Sequence, residues 1–276
     1  MPKNPWEPKE RLEHGYFKSL NEMFKYLFEL IKNEVNPFII AKTLKFAMNN
    51  PVIKRFAYQK ASKMVTLLSV ENAKSWRQAA AKGSKGNIIY KALMQELRGP
   101  IGGEVYAQVM RNAGIITTLP IEISESVTEY IARESFKGKR ALEIAEEIKT
   151  MFPDKTTARA KLIARTEVSK TSTALTRARA ESINLPWYEW RTSEDQRVRS
   201  SHKHMDKVLI RWKDAPRPEK LIGMHNPPAP YHAGEIYNCR CYPAPVVYAE
   251  YVKWPHKVFY GGAIVMMTKK QFEQIM

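Results

Sequence analysis

Pro186-Trp187-Tyr188-Glu189-Trp190, residues 186–190, is where the chain changes texture. Aromatic and polar side chains alternate there at period two, as on a half-buried strand, and Pro186 separates them from a long helical pattern. Downstream, Val208-Leu209-Ile210-Arg211-Trp212 reads as a second strand and Cys239 to Val247 as a third extended piece. The stretch from Asp214 to Pro230 is proline-rich and irregular. Val258-Phe259-Tyr260, Gly261-Gly262 and Ile264-Val265-Met266-Met267 read as a terminal hairpin. Thr268 with Gln271 is a capping-box pattern that opens a last short helix. Residues 185–276 are therefore expected to form a small α+β domain with a short antiparallel sheet.

Upstream the periodicity is helical. Phe17, Leu20, Phe24, Leu27, Phe28 and Ile31 recur at three- and four-residue steps, one face of an amphipathic helix. Pro37 and Pro51 bound a short helix over 38–48, and residues 52–70 are again helix-compatible, with Val65 to Val70 ambiguous. Gly83 and Gly86 mark a break before a helix from Ile88 to Leu97. Gly99-Pro100 and Gly102-Gly103 punctuate most strongly; a helix over 104–112 ends at Gly114, and Pro120 closes the segment. Helices follow over 124–133 and 140–151, then a long one over 155–183 with Asp154 as its N-cap. Along that last helix Ala160, Ala164, Val168, Thr171, Leu175, Ala178 and Ser182 form a narrow face of mostly small residues. Arg159, Thr166, Lys170, Thr173 and Arg177 form a polar, basic stripe open to solvent, phosphate or a partner. The chain thus divides into a basic helical region (1–114), a helical segment ending in a long helix (115–184) and the α+β domain (185–276).

An apolar content of 44% supports a packed core, and there is no apolar run long enough to span a bilayer. Met1 to Glu7 has no apolar signal core, and two cysteines cannot build a disulfide framework, so a reducing cytosolic origin is expected. The net charge of +17 is concentrated: residues 35–99 carry twelve Lys and Arg against only Glu71 and Glu96. Such a segment attracts polyanions by counterion release, with Lys54, Arg55, Lys60, Lys63, Lys74, Arg77, Lys82 and Lys85 as candidate DNA contacts. The competing reading is a solvated helix face, and no amphipathic anchor for a membrane stands out.

Both cysteines, Cys239 and Cys241, lie one residue apart, and His202, His204, His225 and His232 precede them. Thiolates and imidazoles hold tetrahedral zinc, so Cys239 and Cys241 with His202 and either His232 or His225 are candidate ligands of a structural zinc, His232 being the one favoured. The alternative is two buried reduced thiols, or a labile disulfide, packed against Trp187 or Trp190. Arg197 and Arg199 could clamp an anion or form ion pairs with Glu194 and Asp195, and Arg240 could pair with Asp195 or Asp206. No metalloprotease, phosphate-loop, nucleophile-elbow or dinucleotide motif is present, and no catalytic residue is assigned. A metal-dependent nuclease or hydrolase in the C-terminal domain is the rival reading, with Asp195 and His202 as its available groups.

Three blocks carry a resemblance. Ile163-Ala164-Arg165-Thr166-Glu167 is similar to an element of phage minor head proteins, the Mu F-like head morphogenesis family. Trp190, Asp195, Arg197-Val198-Arg199, His202 and Met205-Asp206 resemble its second block. Pro227-Pro228 and Ala233 through Asn238-Cys239-Arg240-Cys241 resemble its third. Lys207 departs from the pattern, where the family often has Gly. The resemblance implies a structural role for Arg165, Thr166, Glu167, Asp195, Arg197, Arg199, His202, Asn238 and Arg240. It further implies a minor capsid protein in the virion interior at the portal vertex, assembled in the host cytoplasm. Its partners would be portal protein, capsid or scaffolding proteins and phage double-stranded DNA, with no membrane.

Overall fold

The computed structural model describes residues 4–81, 86–95, 99–248, 250 and 252–276. The candidate DNA contacts Lys82 and Lys85 lie outside them. The chain forms two compact units, each discontinuous in sequence: Glu10–Thr66 with Tyr106–Ala164, and the N-terminal segment to Lys9 with Leu67–Val105 and Arg165–Met276.

The first of these units is helical. Helix α1 (Glu10–Ile31) buries Leu12, Tyr16, Leu20, Met23, Phe24, Leu27 and Ile31 at helical spacing. Phe17 and Phe28, expected on that face, are only half-buried; they flank it, Phe28 against the Phe152 ring at 5.7 Å. Helix α2 (Pro37–Ala47) starts where Asn36 accepts a hydrogen bond from the Phe38 N–H and Pro37 supplies a preset first turn. Helix α3 (Pro51–Ala80) is capped likewise by Asn50 and runs ten residues beyond its expected end, through the ambiguous Val65 to Val70.

Two further helices overturn the expected punctuation. Helix α4 (Gly86–Gln95) is followed by α5 (Pro100–Phe136), one helix with Pro120 inside it rather than the two short ones expected over 104–112 and 124–133. Helix α6 (Ala141–Ser182) likewise carries Pro153 internally, so Asp154 is no N-cap. A mid-helix proline costs about 3 kcal/mol, and each glycine about 1 kcal/mol. Burial of Val109, Ile116, Leu119, Val127 and Ile131 along α5, and of Ile148, Phe152, Ala160 and Ile163 along α6, outweighs those local costs.

The second unit holds a five-stranded sheet in the order β3-β1-β2-β4-β5. Its strands are β1 (Trp187–Arg191), β2 (Leu209–Arg211), β3 (Tyr242–Pro245), β4 (His256–Tyr260) and β5 (Ala263–Met267). The sheet is mixed rather than antiparallel throughout, because β2 pairs with β4 in parallel at Leu209 and Val258. The third extended piece begins at Tyr242, not Cys239; as an edge strand, β3 tolerates Pro243 and Pro245. Period-two alternation sends Tyr188, Trp190 and Ile210 into one core with Trp76 and Ala180, and Trp187, Leu209 and Val258 into another with Phe272. Gly261 and Gly262 make the β4–β5 turn at φ 60° and 82°, a left-handed pair that glycine adopts at low cost. Thr268 and Gln271 form the expected capping box of helix α9 (Lys269–Glu273). Between β1 and β3 lie two short helices, α7 (Ser200–Met205) and α8 (Pro218–Leu221), which carry His202 and Glu219.

Candidate functional site

The site is built on the last turns of α6. The spacing predicts a polar stripe there, open to solvent, phosphate or a partner; the structure buries its Thr166 and Thr173 against a loop of the same chain. The Thr166 hydroxyl accepts from the Asn238 N–H at 3.0 Å, and the Thr173 hydroxyl donates to the Ala233 carbonyl at 2.8 Å. Arg165 donates to the Asn238 side chain at 3.1 Å. This face therefore docks the loop 231–241, supplying hydrogen bonds that an irregular backbone cannot make within itself. Glu167 is buried on the same helix, 4.0 Å from the Lys170 ammonium.

That loop meets the segment after β1. Asp195 accepts from the Arg197 N–H at 2.9 Å and from the Arg240 guanidinium at 2.6 and 2.9 Å. Burial alone would raise its pKa; the Arg197 N–H and the charges of Arg240 and Arg197 override that and hold the carboxyl below its usual value. Arg199 donates to the Tyr237 carbonyl at 2.8 Å. The exposed Arg197 lies 3.8 Å from Asp195. Eight of the motif residues, Arg165, Thr166, Asp195, Arg197, Arg199, His202, Asn238 and Arg240, thus enter one network or its rim. Arg165, Arg197, Arg199 and Arg240 line a cleft of about 100 Å³ with His202, Asn238, Cys239 and Cys241.

At the floor of the cleft, His202 brings Nδ1 to 3.3 Å from Cys241 Sγ and 3.6 Å from Cys239 Sγ, all three residues being buried. Its Nε2 lies 2.9 Å from the Tyr231 hydroxyl, which donates to both oxygens of Glu219 at 2.7 and 2.8 Å. A carboxylate only accepts and a hydroxyl has one proton, so Nε2 is the nitrogen that donates to Tyr231. Nδ1 is left facing the sulfurs. Cys239 is held well below the ordinary thiol range, chiefly by the hydrogen bond from Cys241, while that same bond, with burial, pushes Cys241 up. Trp190 closes the back of the ring, its centroid 5.5 Å from that of His202.

His232 does not join the cysteines, as a four-ligand set requires. Its Nδ1 lies 3.0 Å from the Tyr188 hydroxyl, and its ring stands edge-on to Trp212. Among the described residues, the group whose donor atoms converge is His202, Cys239 and Cys241. The spacing of the histidines carried no sign of Tyr231 and Glu219, which complete the network; neither belongs to a polar motif in the sequence.

Lys207, the departure from the family pattern, sits at φ 63°, a left-handed conformation that costs a non-glycine residue about 1–2 kcal/mol. Its N–H is fixed by the Trp190 carbonyl at 2.8 Å. Lys207→Gly is expected to stabilise the protein by about 0.5–1 kcal/mol in denaturant melts, since glycine's greater unfolded-state freedom offsets part of the gain. A loss of stability would show that Lys207's side chain contributes more than its backbone costs.

The six described DNA candidates lie on α3. Lys60 and Lys74 are held by Glu22 and Glu71, whereas Lys54, Arg55, Lys63 and Arg77 are exposed and pair with no carboxylate among the described residues. No described helix is long and apolar enough to cross a membrane.

Residues 123–243 match the profile of a family described as Phage Mu protein F like protein, a span that takes in all three sequence blocks. A protein of Haemophilus influenzae, described as uncharacterized, is 32% identical over 146 residues, 52% of this chain and 30% of that relative. The chain therefore spans less than a third of that protein's length. No solved structure matches the chain.

Proposed function

We propose, from the match of residues 123–243 to a family described as Phage Mu protein F like protein, that the chain is a minor head protein of a bacteriophage, acting at the portal vertex in head assembly and in DNA packaging or ejection. The observation that supports this reading most is the convergence of the three blocks on one cleft, where Arg165 and Thr166 bind Asn238 and Asp195 binds Arg240. Residues of the first and third blocks, 72 and 73 positions apart, are joined by hydrogen bonds, so the sequence pattern marks residues that meet in the fold. In this reading the network holds the small domain together, and α3 supplies the contact with packaged DNA. Four exposed cations on one helix, with no carboxylate partner among the described residues, suit sequence-independent binding to phosphates.

Co-expression with a phage portal protein tests the portal part. The two are expected to co-purify at low and moderate salt, and clean separation at both would overturn it. For the DNA part, affinity should fall steeply with salt. Replacing Lys54, Arg55, Lys63 and Arg77 together by Gln should reduce the slope of log K against log salt by about 0.9 for each phosphate that is no longer neutralised. Full affinity in that variant would remove α3 from the DNA-binding role.

A further inference from the structure

The His202–Cys239–Cys241 cluster has a geometry that buried thiols do not require. In tetrahedral zinc, bonds of about 2.3 Å to sulfur and 2.0–2.1 Å to nitrogen place N and S ligand atoms about 3.6 Å apart. The two Nδ1–Sγ separations here are 3.3 and 3.6 Å, and all three donor atoms lie within 4.8 Å of one another. On its two nitrogen–sulfur edges this triangle accepts a zinc ion with shifts of a few tenths of an ångström.

The outer shell matches as well. A metal-binding histidine nearly always donates its other ring N–H to a fixed partner, which sets the tautomer and the ring direction. His202 Nε2 donates to Tyr231, Tyr231 to Glu219, and the Ser201 hydroxyl adds a third hydrogen bond to Glu219 at 3.2 Å. This buried polar chain aims Nδ1 at the sulfurs. Two inert core thiols need only apolar neighbours, and for them a Glu219–Tyr231–His202 chain would be a desolvation cost without return.

We propose that His202 Nδ1, Cys239 Sγ and Cys241 Sγ form a three-ligand zinc site whose fourth position faces the arginine-lined cleft. Two thiolates and an imidazole select zinc over magnesium or calcium. The described residues supply no fourth protein donor, so that position takes a water or an oxyanion, which Arg165, Arg197, Arg199 and Arg240 favour by charge. Binding displaces the protons shared among Nδ1 and the two sulfurs. The site does not depend on the proposed role at the portal.

The full chain, purified with reductant and without chelator, is expected to carry one zinc per molecule by elemental analysis. Cobalt replacement should give a thiolate-to-cobalt charge-transfer band. Cys239→Ser, Cys241→Ser and His202→Gln should each abolish that band, and His232→Gln should keep it. Tyr231→Phe retains every ligand, so it tests the outer shell even if a ligand variant fails to fold; its zinc affinity should drop about 10–100-fold. Reduced wild-type protein with both thiols titratable, yet no charge-transfer band, would overturn the proposal. So would a Cys239–Cys241 disulfide that persists in reductant, or cobalt binding unchanged in the double serine variant.

Discussion

Gly234→Ala is expected to destabilise the unit that holds the site by about 3 kcal/mol, the sum of a left-handed backbone penalty and an overpacking cost. Gly234 sits at φ 87°, and a Cβ there would lie 2.5 Å from Thr173 Oγ1, 2.9 Å from Ser169 Oγ and 3.0 Å from the Cys241 carbonyl oxygen. Thr173 cannot turn away freely, because its hydroxyl donates to the Ala233 carbonyl. The loop must lift from α6 or stay strained, and in either case the cysteine pair loses its support. All six tryptophans fall in this unit, so their fluorescence follows its unfolding separately from the all-helical unit. The midpoint in urea should shift strongly, and Cys239 and Cys241 should react faster with a thiol reagent. A change below about 1 kcal/mol with unaltered thiol reactivity would mean the loop is not clamped here.

The second large effect is a pH dependence set by His232. Burial, with the positive charge of Arg177, lowers its pKa from 6.5 to about 4, against the weaker upward pulls of a hydrogen bond to the Trp212 backbone and of Glu181 and Asp214. The Tyr188 hydroxyl faces Nδ1, where a second ring proton would have to go. The folded state thus keeps His232 neutral at a pH where the unfolded chain already binds a proton. Stability from this group is complete above pH 6.5 and is lost as the pH falls towards 4, by roughly 3 kcal/mol in all. Urea melts followed by tryptophan fluorescence should show wild type losing about that much more than His232→Gln over this window. Parallel curves for the two proteins would exclude a buried neutral His232.

Signals carried by adjacent residues were legible in the chain. The texture of residues 187–190 marked β1 as a strand, though not that Trp187 packs in one core and Tyr188 and Trp190 in the other, and Thr268 with Gln271 placed the last helix start. Both depend on interactions within a few residues, where sequence order is spatial order. Pro120 and Pro153 misled for the converse reason: each is a local cost, and the burial that outweighs it comes from elsewhere in the fold. Whether Thr166 and Thr173 face solvent, phosphate or a partner stayed open in the sequence because the groups they meet, Asn238 and Ala233, lie 72 and 60 residues away.

The sequence by itself determined the α+β fold class, helices first and a small sheet last, and the three blocks that resemble the Mu F-like pattern. Only the tertiary structure decided which histidine joins Cys239 and Cys241. His232 is far nearer to them in the chain, but its ring turns to Tyr188 and Trp212, while α7 carries His202 to the sulfurs and Tyr231 with Glu219 locks its orientation. A side chain's direction is set by the element that bears it and by the hydrogen bonds it completes, and neither is a function of distance along the chain.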